Sequence, residues 1–163
     1  MIDKQRVGIS EWRVADSTQI LVCYGLGSCL GIALYDDDVR IGGLAHTLLP
    51  SFVGEGTIER PGRFAASAIG LIRDEMIRRG ARTDRLTARL VGGANMFEAF
   101  NQASGPAVGE RNIAAARDRL EQLDIPLVGE DVGANFGRSM EFDLASGEVR
   151  VRTVHNRDQV TIL

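Results

Sequence analysis

Two short apolar segments separated by three aspartates constrain the fold of this chain more than any other feature. Residues 30–35 and 39–46 each have the length and the apolar, β-branched character of a strand, and Asp36-Asp37-Asp38 lies between them. Aspartate favours turns because its short side chain hydrogen-bonds to nearby backbone groups. The pattern therefore predicts an antiparallel β-hairpin.

The rest of the chain alternates further strands with two helices. A helix is predicted over residues 62–79, because Phe64, Ala68, Ile72 and Met76 recur at helical spacing, and a second over about 110–123. Further strands are predicted at residues 19–24, 86–91, 127–130, 139–144, 148–154 and 159–163. We therefore expect an α+β fold, a layered α/β sandwich with mixed, mostly antiparallel β-sheets and two main helices.

Composition narrows the class of protein. The chain has 163 residues, a net charge of −3 and 44% hydrophobic residues, which is ordinary for one globular domain, here residues 1–163. Its apolar stretches are far shorter than the ~20 residues that cross a bilayer. Its first residues do not resemble a signal peptide, and it has no basic block that would bind phosphates. We expect no membrane insertion, no secretion and no nucleic-acid binding.

Three common ligand motifs are not matched. Gly25-Leu26-Gly27 begins like a dinucleotide-binding loop, but Leu30 occupies the third glycine position and a strand follows instead of a helix. No P-loop sequence occurs. The two histidines and two cysteines lack the spacing of metal ligands, so no metal site is predicted.

Cys29 and His46 form the candidate catalytic pair. Cys29 follows the glycine turn, and His46 ends the second strand of the predicted hairpin. With a turn centred on Asp37 the two residues lie nearly opposite, with Cβ atoms ~5 Å apart. Such a pair would form a thiolate–imidazolium nucleophile with a lowered thiol pKa. The N–H groups of Ser28 and Cys29 could then face a developing oxyanion.

A structural interpretation of the same residues stays open at this point. A cysteine in a β-rich core is usually a small hydrophobe, and most single histidines are not catalytic. Cys23, inside an apolar strand, is expected to be a core residue, and His155 is expected to be structural or to face solvent.

Several short blocks also follow one another in a specific order. They are Gly25-Leu26-Gly27-Ser28-Cys29, Gly42-Gly43-Leu44-Ala45-His46, Leu49-Pro50, Gly92-Gly93-Ala94-Asn95-Met96, Gly109-Glu110-Arg111-Asn112 and Gly133-Ala134-Asn135-Phe136-Gly137-Arg138. Together they resemble the CheD family, the chemoreceptor glutamine deamidases, over residues 7–151.

The resemblance implies a cysteine-dependent amidohydrolase that converts receptor glutamines to glutamate and releases ammonia. Cys29 would be the nucleophile, His46 the general base and acid, and the backbone amides near Ser28 would hold the oxyanion. It implies no metal or other cofactor. The implied partners are the cytoplasmic domains of methyl-accepting chemotaxis receptors and a CheC-type phosphatase, which places the protein in the cytoplasm.

The chain departs from the family at two places. The family usually has a threonine six residues before the nucleophile, as the third catalytic member, and Cys23 stands there. Because a thiol is a weaker hydrogen-bond partner than a hydroxyl, His46 is oriented either less firmly or by a main-chain carbonyl. The family's Lys-Tyr-x-Asp is Arg63-Phe64-Ala65-Ala66 here, which changes the groups available for receptor or partner contacts.

Two further hypotheses remain open from the sequence. In the first, the protein is a non-catalytic adaptor that binds a CheC-type phosphatase or the receptor. In the second, Cys23 and Cys29 form a disulfide that acts as a redox switch, since a bend between them could bring their Cα atoms to the ~5.5 Å separation that a disulfide requires.

Overall fold

A computed structural model describes residues 2–97 and 105–163. In these two ranges the strands are β1 Asp3–Arg6, β2 Trp12–Ala15, β3 Gln19–Leu26, β4 Leu30–Asp36, β5 Ile41–Thr47, β6 Thr87–Gly92, β7 Leu127–Val132, β8 Arg138–Asp143, β9 Val149–Thr153 and β10 Thr161–Ile162. The α-helices are α1 Ala65–Arg78 and α2 Val108–Gln122, and short 3-10 turns span Pro61–Arg63 and Thr83–Arg85.

The strands form two five-stranded mixed sheets. The first sheet has the order β1-β3-β8-β9-β10 and the second has the order β2-β5-β4-β6-β7. Only the β1–β3 and β6–β7 pairs are parallel among the strands of the described residues. The prediction of an α+β layered sandwich with mixed, mostly antiparallel sheets and two main helices is confirmed.

Two hydrophobic layers hold the sheets and helices together. Leu30, Ile32 and Leu34 of β4 face the helices, where they join the buried side chains of α1 and α2. Ala33 and Tyr35 of the same strand face the first sheet. Because successive side chains of a strand point to opposite faces, β4 has one hydrophobic layer on each side, and all seven of its residues are buried.

Side chains on both sides of β5 lie so close to its backbone that two adjacent positions have room only for glycine. A Cβ atom on Gly42 would lie 2.6 Å from a side-chain carbon of Leu144, in the layer between the sheets. A Cβ atom on Gly43 would collide with Ile72 of α1. Larger residues at either position would push the hairpin away from one of its two neighbours.

The hairpin is confirmed, but its turn lies later than the sequence predicted. Asp36 is the last residue of β4, the turn spans residues 37–40, and Arg40 adopts a left-handed conformation with φ of 53°. Strands β1 and β2 were not predicted, because each has only four residues and both include charged side chains. Neither helix in the described ranges combines the length and the apolar character needed to cross a bilayer.

The Asp36 carboxylate fixes the turn end of the hairpin. Its side chain is fully buried and accepts hydrogen bonds from the Arg82 N–H at 2.9 Å, the Arg85 Nε at 3.0 Å and the Asp38 N–H at 3.1 Å. Burial alone would raise the pKa of Asp36, but these hydrogen bonds outweigh burial and hold it below its usual value. The carboxylate is therefore charged and paired in the folded protein.

We expect Asp36→Asn to lower the free energy of unfolding at neutral pH by about 2 kcal/mol, because charge-assisted hydrogen bonds are lost. The folded-state pKa is depressed, so the contribution of the carboxylate is complete above the unfolded pKa of about 3.9 and is lost as the pH falls through the folded value. Urea denaturation of the native protein and of Asp36→Asn, measured from pH 7 down to acid pH, should therefore show that the difference between their free energies of unfolding becomes smaller. Equal stability at pH 7 would contradict the assignment.

Candidate active site

Cys29 lies in the short irregular segment between β3 and β4. The segment spans residues 27–29, and Cys29 is 8% exposed. The Cys29 carbonyl accepts a hydrogen bond from the Gly93 N–H at 2.9 Å. Gly92, with φ of 110°, passes so close to this carbonyl that a Cβ atom would collide with it. The end of β6 therefore holds the backbone of Cys29 in place.

His46 is a diagonal neighbour of Cys29 across the hairpin. The register pairs Gly31 with His46 and Leu30 with Thr47. Cys29 precedes Gly31 by two residues and belongs to the hydrophobic layer between the sheets. Leu44 belongs to the same layer, and His46 follows Leu44 by two residues in β5, so Cys29 and His46 share one face. Diagonal neighbours have Cα atoms about 7–8 Å apart and somewhat closer Cβ atoms. The prediction that the two residues lie nearly opposite was off by two positions, because the turn lies later.

The ring of His46 is oriented by a main-chain carbonyl. His46 Nδ1 lies 3.2 Å from the carbonyl oxygen of Val7, just after β1. Because a carbonyl can only accept, Nδ1 carries the hydrogen and Nε2 keeps its lone pair in the neutral ring. The Nε2 atom is buried and has no hydrogen-bond partner among the described residues. It is therefore available to take a proton.

The segment after β1 also holds the backbone of His46. The Ser10 N–H donates to the His46 carbonyl at 2.8 Å, and the His46 N–H donates to the Glu11 carbonyl at 3.0 Å. The Val7 N–H donates at 2.8 Å to the Val22 carbonyl in the first sheet. The chain from Val7 to Glu11 thus connects β3 to both the ring and the backbone of His46.

Burial makes the resting pair neutral. Desolvation raises the pKa of the Cys29 thiol, although its own backbone N–H acts in the opposite direction. Desolvation also lowers the pKa of His46, against the hydrogen bond to the Val7 carbonyl. The prediction of a lowered thiol pKa is therefore wrong for the protein without substrate.

Cys23 is a buried core residue, as predicted. It is fully buried in β3 opposite Met140 and shares the layer between the sheets with Cys29. Burial raises the pKa of its thiol. Both cysteines are free thiols. The atom that contacts His46 Nδ1 is the Val7 oxygen, which corresponds to the main-chain alternative left open by the sequence.

The predicted oxyanion donors are the backbone amides of Ser28 and Cys29. In the described part of the chain, the N–H groups of Ser28 and Cys29 donate no hydrogen bond to another backbone group. The Cys29 N–H is close enough to its own sulfur to oppose the effect of burial on the thiol. A carbonyl attacked by this sulfur would therefore develop its charge near N–H groups that have no backbone acceptor.

Sequence reasoning gave no role to two residues that contact the site. Val7 acts through its main-chain oxygen, which leaves no side-chain pattern in a sequence. Asn112 of α2 is fully buried, and its Nδ2 donates to the carbonyls of Ser28 at 2.9 Å and Leu48 at 3.2 Å. The only signal for Asn112 was its place in the block that begins at Gly109.

His155 and Phe64, which the sequence also drew attention to, lie outside the candidate active site. His155 is exposed, with its ring 5.7 Å from that of Phe136, as expected for a structural or solvent-facing residue. Phe64, in the departure at residues 63–66, is largely buried and packs edge-on against Phe52 with ring centroids 5.7 Å apart.

Comparison with known proteins identifies the family. The family profile described as CheD, CheD chemotactic sensory transduction, matches residues 48–153. The chain belongs to the CheD family. The CheD resemblance seen in the sequence is thus confirmed, although this profile match begins two residues after His46.

Curated CheD relatives match nearly the whole chain. A protein of Geobacter metallireducens named probable chemoreceptor glutamine deamidase CheD 2 is 52% identical over 149 residues, 91% of this chain and 92% of the relative. Probable chemoreceptor glutamine deamidase CheD 3 of Geobacter sulfurreducens is 46% identical, with coverage of 91% and 92%. The Moorella thermoacetica protein named probable chemoreceptor glutamine deamidase CheD is 47% identical, with coverage of 91% and 90%.

A solved structure with partial similarity is the Bacillus licheniformis hypothetical protein YfiH. It matches with a TM-score of 0.46 and 13% identity, over 76% of this chain and 49% of that chain. This likeness is too weak to support an argument about the CheD site.

Native-state alkylation with iodoacetamide should modify Cys29 and leave Cys23 unmodified, because Cys23 has no exposed surface. The alkylation rate of Cys29 should keep rising with pH through and above the ordinary thiol pKa of about 8.5, since burial raises its pKa. Peptide mapping by mass spectrometry measures both results. A rate that levels off below pH 7 would show a stable thiolate–imidazolium pair instead.

Proposed function

We propose that this chain is a cysteine-dependent amidohydrolase that deamidates glutamine side chains of chemoreceptors. The names of its curated relatives support the substrate class. The observation that carries the proposal is the Val7–His46 hydrogen bond, which leaves the Nε2 lone pair free on the same face as Cys29. A thiol beside a free imidazole nitrogen and unpaired amides is suited to acyl transfer.

The first half of the reaction forms a thioester. His46 Nε2 takes the proton of the Cys29 thiol as the sulfur attacks the carbon of the glutamine carboxamide. The negative charge that develops on the carboxamide oxygen is met by the N–H groups near Ser28 and Cys29. The protonated His46 then gives its proton to the nitrogen, the carbon–nitrogen bond breaks, and ammonia leaves.

The second half of the reaction releases glutamate. His46 takes a proton from a water molecule, whose oxygen attacks the thioester carbon. The carbon–sulfur bond breaks, the sulfur is reprotonated through His46, and the product is the carboxyl group of glutamate. The Val7 carbonyl stabilises the imidazolium that exists transiently in both halves, because it accepts the hydrogen on Nδ1.

The proposed macromolecular partners follow from this substrate. The protein would act in the cytoplasm on the cytoplasmic domains of methyl-accepting chemotaxis receptors, and a CheC-type phosphatase is a second proposed partner. Cys29 is 8% exposed, so a slender side chain must reach it from the receptor surface. Met96 packs on Gly27 beside the nucleophile and is 46% exposed, and Phe97 is 66% exposed. These apolar groups offer contacts to a receptor helix next to the target glutamine.

Incubation with the cytoplasmic fragment of a chemoreceptor should convert specific glutamines to glutamate, with release of ammonia. Mass spectrometry of receptor peptides measures the conversion, and a coupled assay measures the ammonia. Cys29→Ser should lower the rate by more than about 10³-fold, because a hydroxyl is a much weaker nucleophile than a thiol. His46→Gln should have a similar effect, because it removes the proton acceptor.

Two results would remove the deamidase proposal. One is an unchanged receptor after incubation with the native protein, and the other is equal conversion by Cys29→Ser. Tight receptor or phosphatase binding without ammonia release would favour the adaptor hypothesis instead. A loss of both free thiols under mild oxidant, reversed by reductant, would support the redox-switch hypothesis.

Cys23→Ser and Cys23→Thr should change the deamidation rate by less than about fivefold, because the Val7 carbonyl holds His46 Nδ1. Serine is the matched control, since it adds a hydroxyl without the extra methyl group of threonine. Steady-state deamidation kinetics of the three proteins measure the effect. A gain of more than tenfold in Cys23→Thr would show that residue 23 orients His46 after all.

A further inference from the structure

Asn112 is the buried polar side chain that connects the two segments of the candidate active site. It is fully buried in α2, and its Nδ2 contacts the Ser28 carbonyl at 2.9 Å and the Leu48 carbonyl at 3.2 Å. Both contacts are carbonyl oxygens, so the nitrogen of the amide must face them. One contact precedes Cys29 by one residue, and the other follows His46 by two.

The bond to Ser28 fixes the direction of the Cys29 N–H. The described chain contains no cis peptide bond. In a trans peptide the carbonyl and the N–H of one unit point in opposite directions. Because the Ser28 carbonyl points to Asn112, the N–H of Cys29 points away from α2. That N–H makes no backbone hydrogen bond to any of the described residues.

The bond to Leu48 fixes the other segment. Leu48 follows the end of β5, and its N–H donates at 2.8 Å to the Arg63 carbonyl. The amide nitrogen of Asn112 therefore hydrogen-bonds both to the chain just before Cys29 and to the chain just after His46. A displacement of either segment relative to the other would break one of the two hydrogen bonds.

The other half of the Asn112 amide is poorly suited to a purely stabilising role. Asn112 Oδ1 is buried and has no hydrogen-bond partner among the described residues. A buried acceptor without a partner is costly, so the hydrogen bonds from Nδ2 are made at a cost in stability on the other side of the amide. Local features that weaken a fold are expected where function requires them.

We propose that Asn112 is a positioning residue that aims the N–H of Cys29 at the developing oxyanion. This inference rests on the proposed function, because the oxyanion is that of the attacked carboxamide. Asn112 does not touch the substrate. It acts through the peptide unit between Ser28 and Cys29, and its amide makes that donor rigid before the substrate arrives.

Two reagents separate the oxyanion donor from the reactivity of the sulfur. p-Nitrophenyl acetate acylates a thiol through a tetrahedral oxyanion, forming an acetyl thioester and releasing p-nitrophenolate. Iodoacetamide alkylates the same sulfur by displacement of iodide, and no oxyanion forms. The ratio of the acylation rate to the alkylation rate of Cys29 therefore reports on the oxyanion donor alone, with Cys29→Ala as the background.

Asn112→Ala and Asn112→Ser should lower this ratio by about 10- to 100-fold. This is less than the roughly 10²- to 10³-fold loss on removal of a whole oxyanion donor, because the variants misplace the N–H of Cys29 and do not remove it. Both side chains are too short to reach the Ser28 and Leu48 carbonyls. Alkylation should stay within about twofold of the native rate, and the kcat of deamidation should fall with little change in KM. An unchanged ratio, or an equal fall of both rates, would overturn the inference.

Asp36→Asn is the matched control for general destabilisation. It disturbs a buried polar side chain at the turn end of the same hairpin, far along the strands from Cys29. We expect it to lower stability and leave the ratio of the two rates unchanged. A fall in the ratio for Asp36→Asn as large as that for Asn112→Ala would also overturn the inference.

If both Asn112 variants fail to fold, a measurement on the native protein tests the N–H of Cys29 directly. A small aldehyde adds to the Cys29 thiol, forming a carbon–sulfur bond and a hydroxyl in place of the carbonyl. The amide proton of Cys29 should shift downfield as this adduct forms, and no shift would overturn the inference. If the native protein fails to deamidate receptors while the rate ratio falls as stated, the proposed function is wrong and Asn112 still positions the donor.

Discussion

Burial of β4 on both faces is the constraint on which the rest of the structure depends. One face packs against α1 and α2, and the other packs against the first sheet. A slip of one residue would exchange the two faces, so the register of the hairpin is strongly specified. The same register sets the diagonal relation of Cys29 and His46, which makes the geometry of the site a consequence of core packing.

The burial that positions the two side chains also determines their charges. Removing a thiol and an imidazole from water favours the neutral form of both. The protein therefore rests with an uncharged pair, and the Val7 carbonyl determines which nitrogen of the His46 ring carries the hydrogen. In the proposed mechanism, charge separation occurs only with a substrate present, when the backbone amides can meet the new negative charge.

The sequence predicted the hairpin, the two helices and the mixed sheets, because these follow from apolar periodicity and turn residues. It placed the turn too early, because Asp36 is a buried ion-pair partner of Arg85 and not a turn residue. The spacing of Cys29 and His46 predicted their proximity but not the depth of their burial, which reversed the expected pKa shift of the thiol. Val7 acts through its backbone, and Asn112 contacts only carbonyls, so neither has a side-chain pattern that predicts its contacts.

The order of the site along the chain has a consequence for recombination between relatives. Val7, Cys29 and His46 all lie in the first third of the sequence, as do β1 beside β3 and β5 beside β4, whereas the second neighbours of these two strands, β8 and β6, come from later segments. These three residues of the candidate site thus form one contiguous block that could be exchanged between relatives. That block can fold only on a recipient whose later strands and α2 present matching backbone partners.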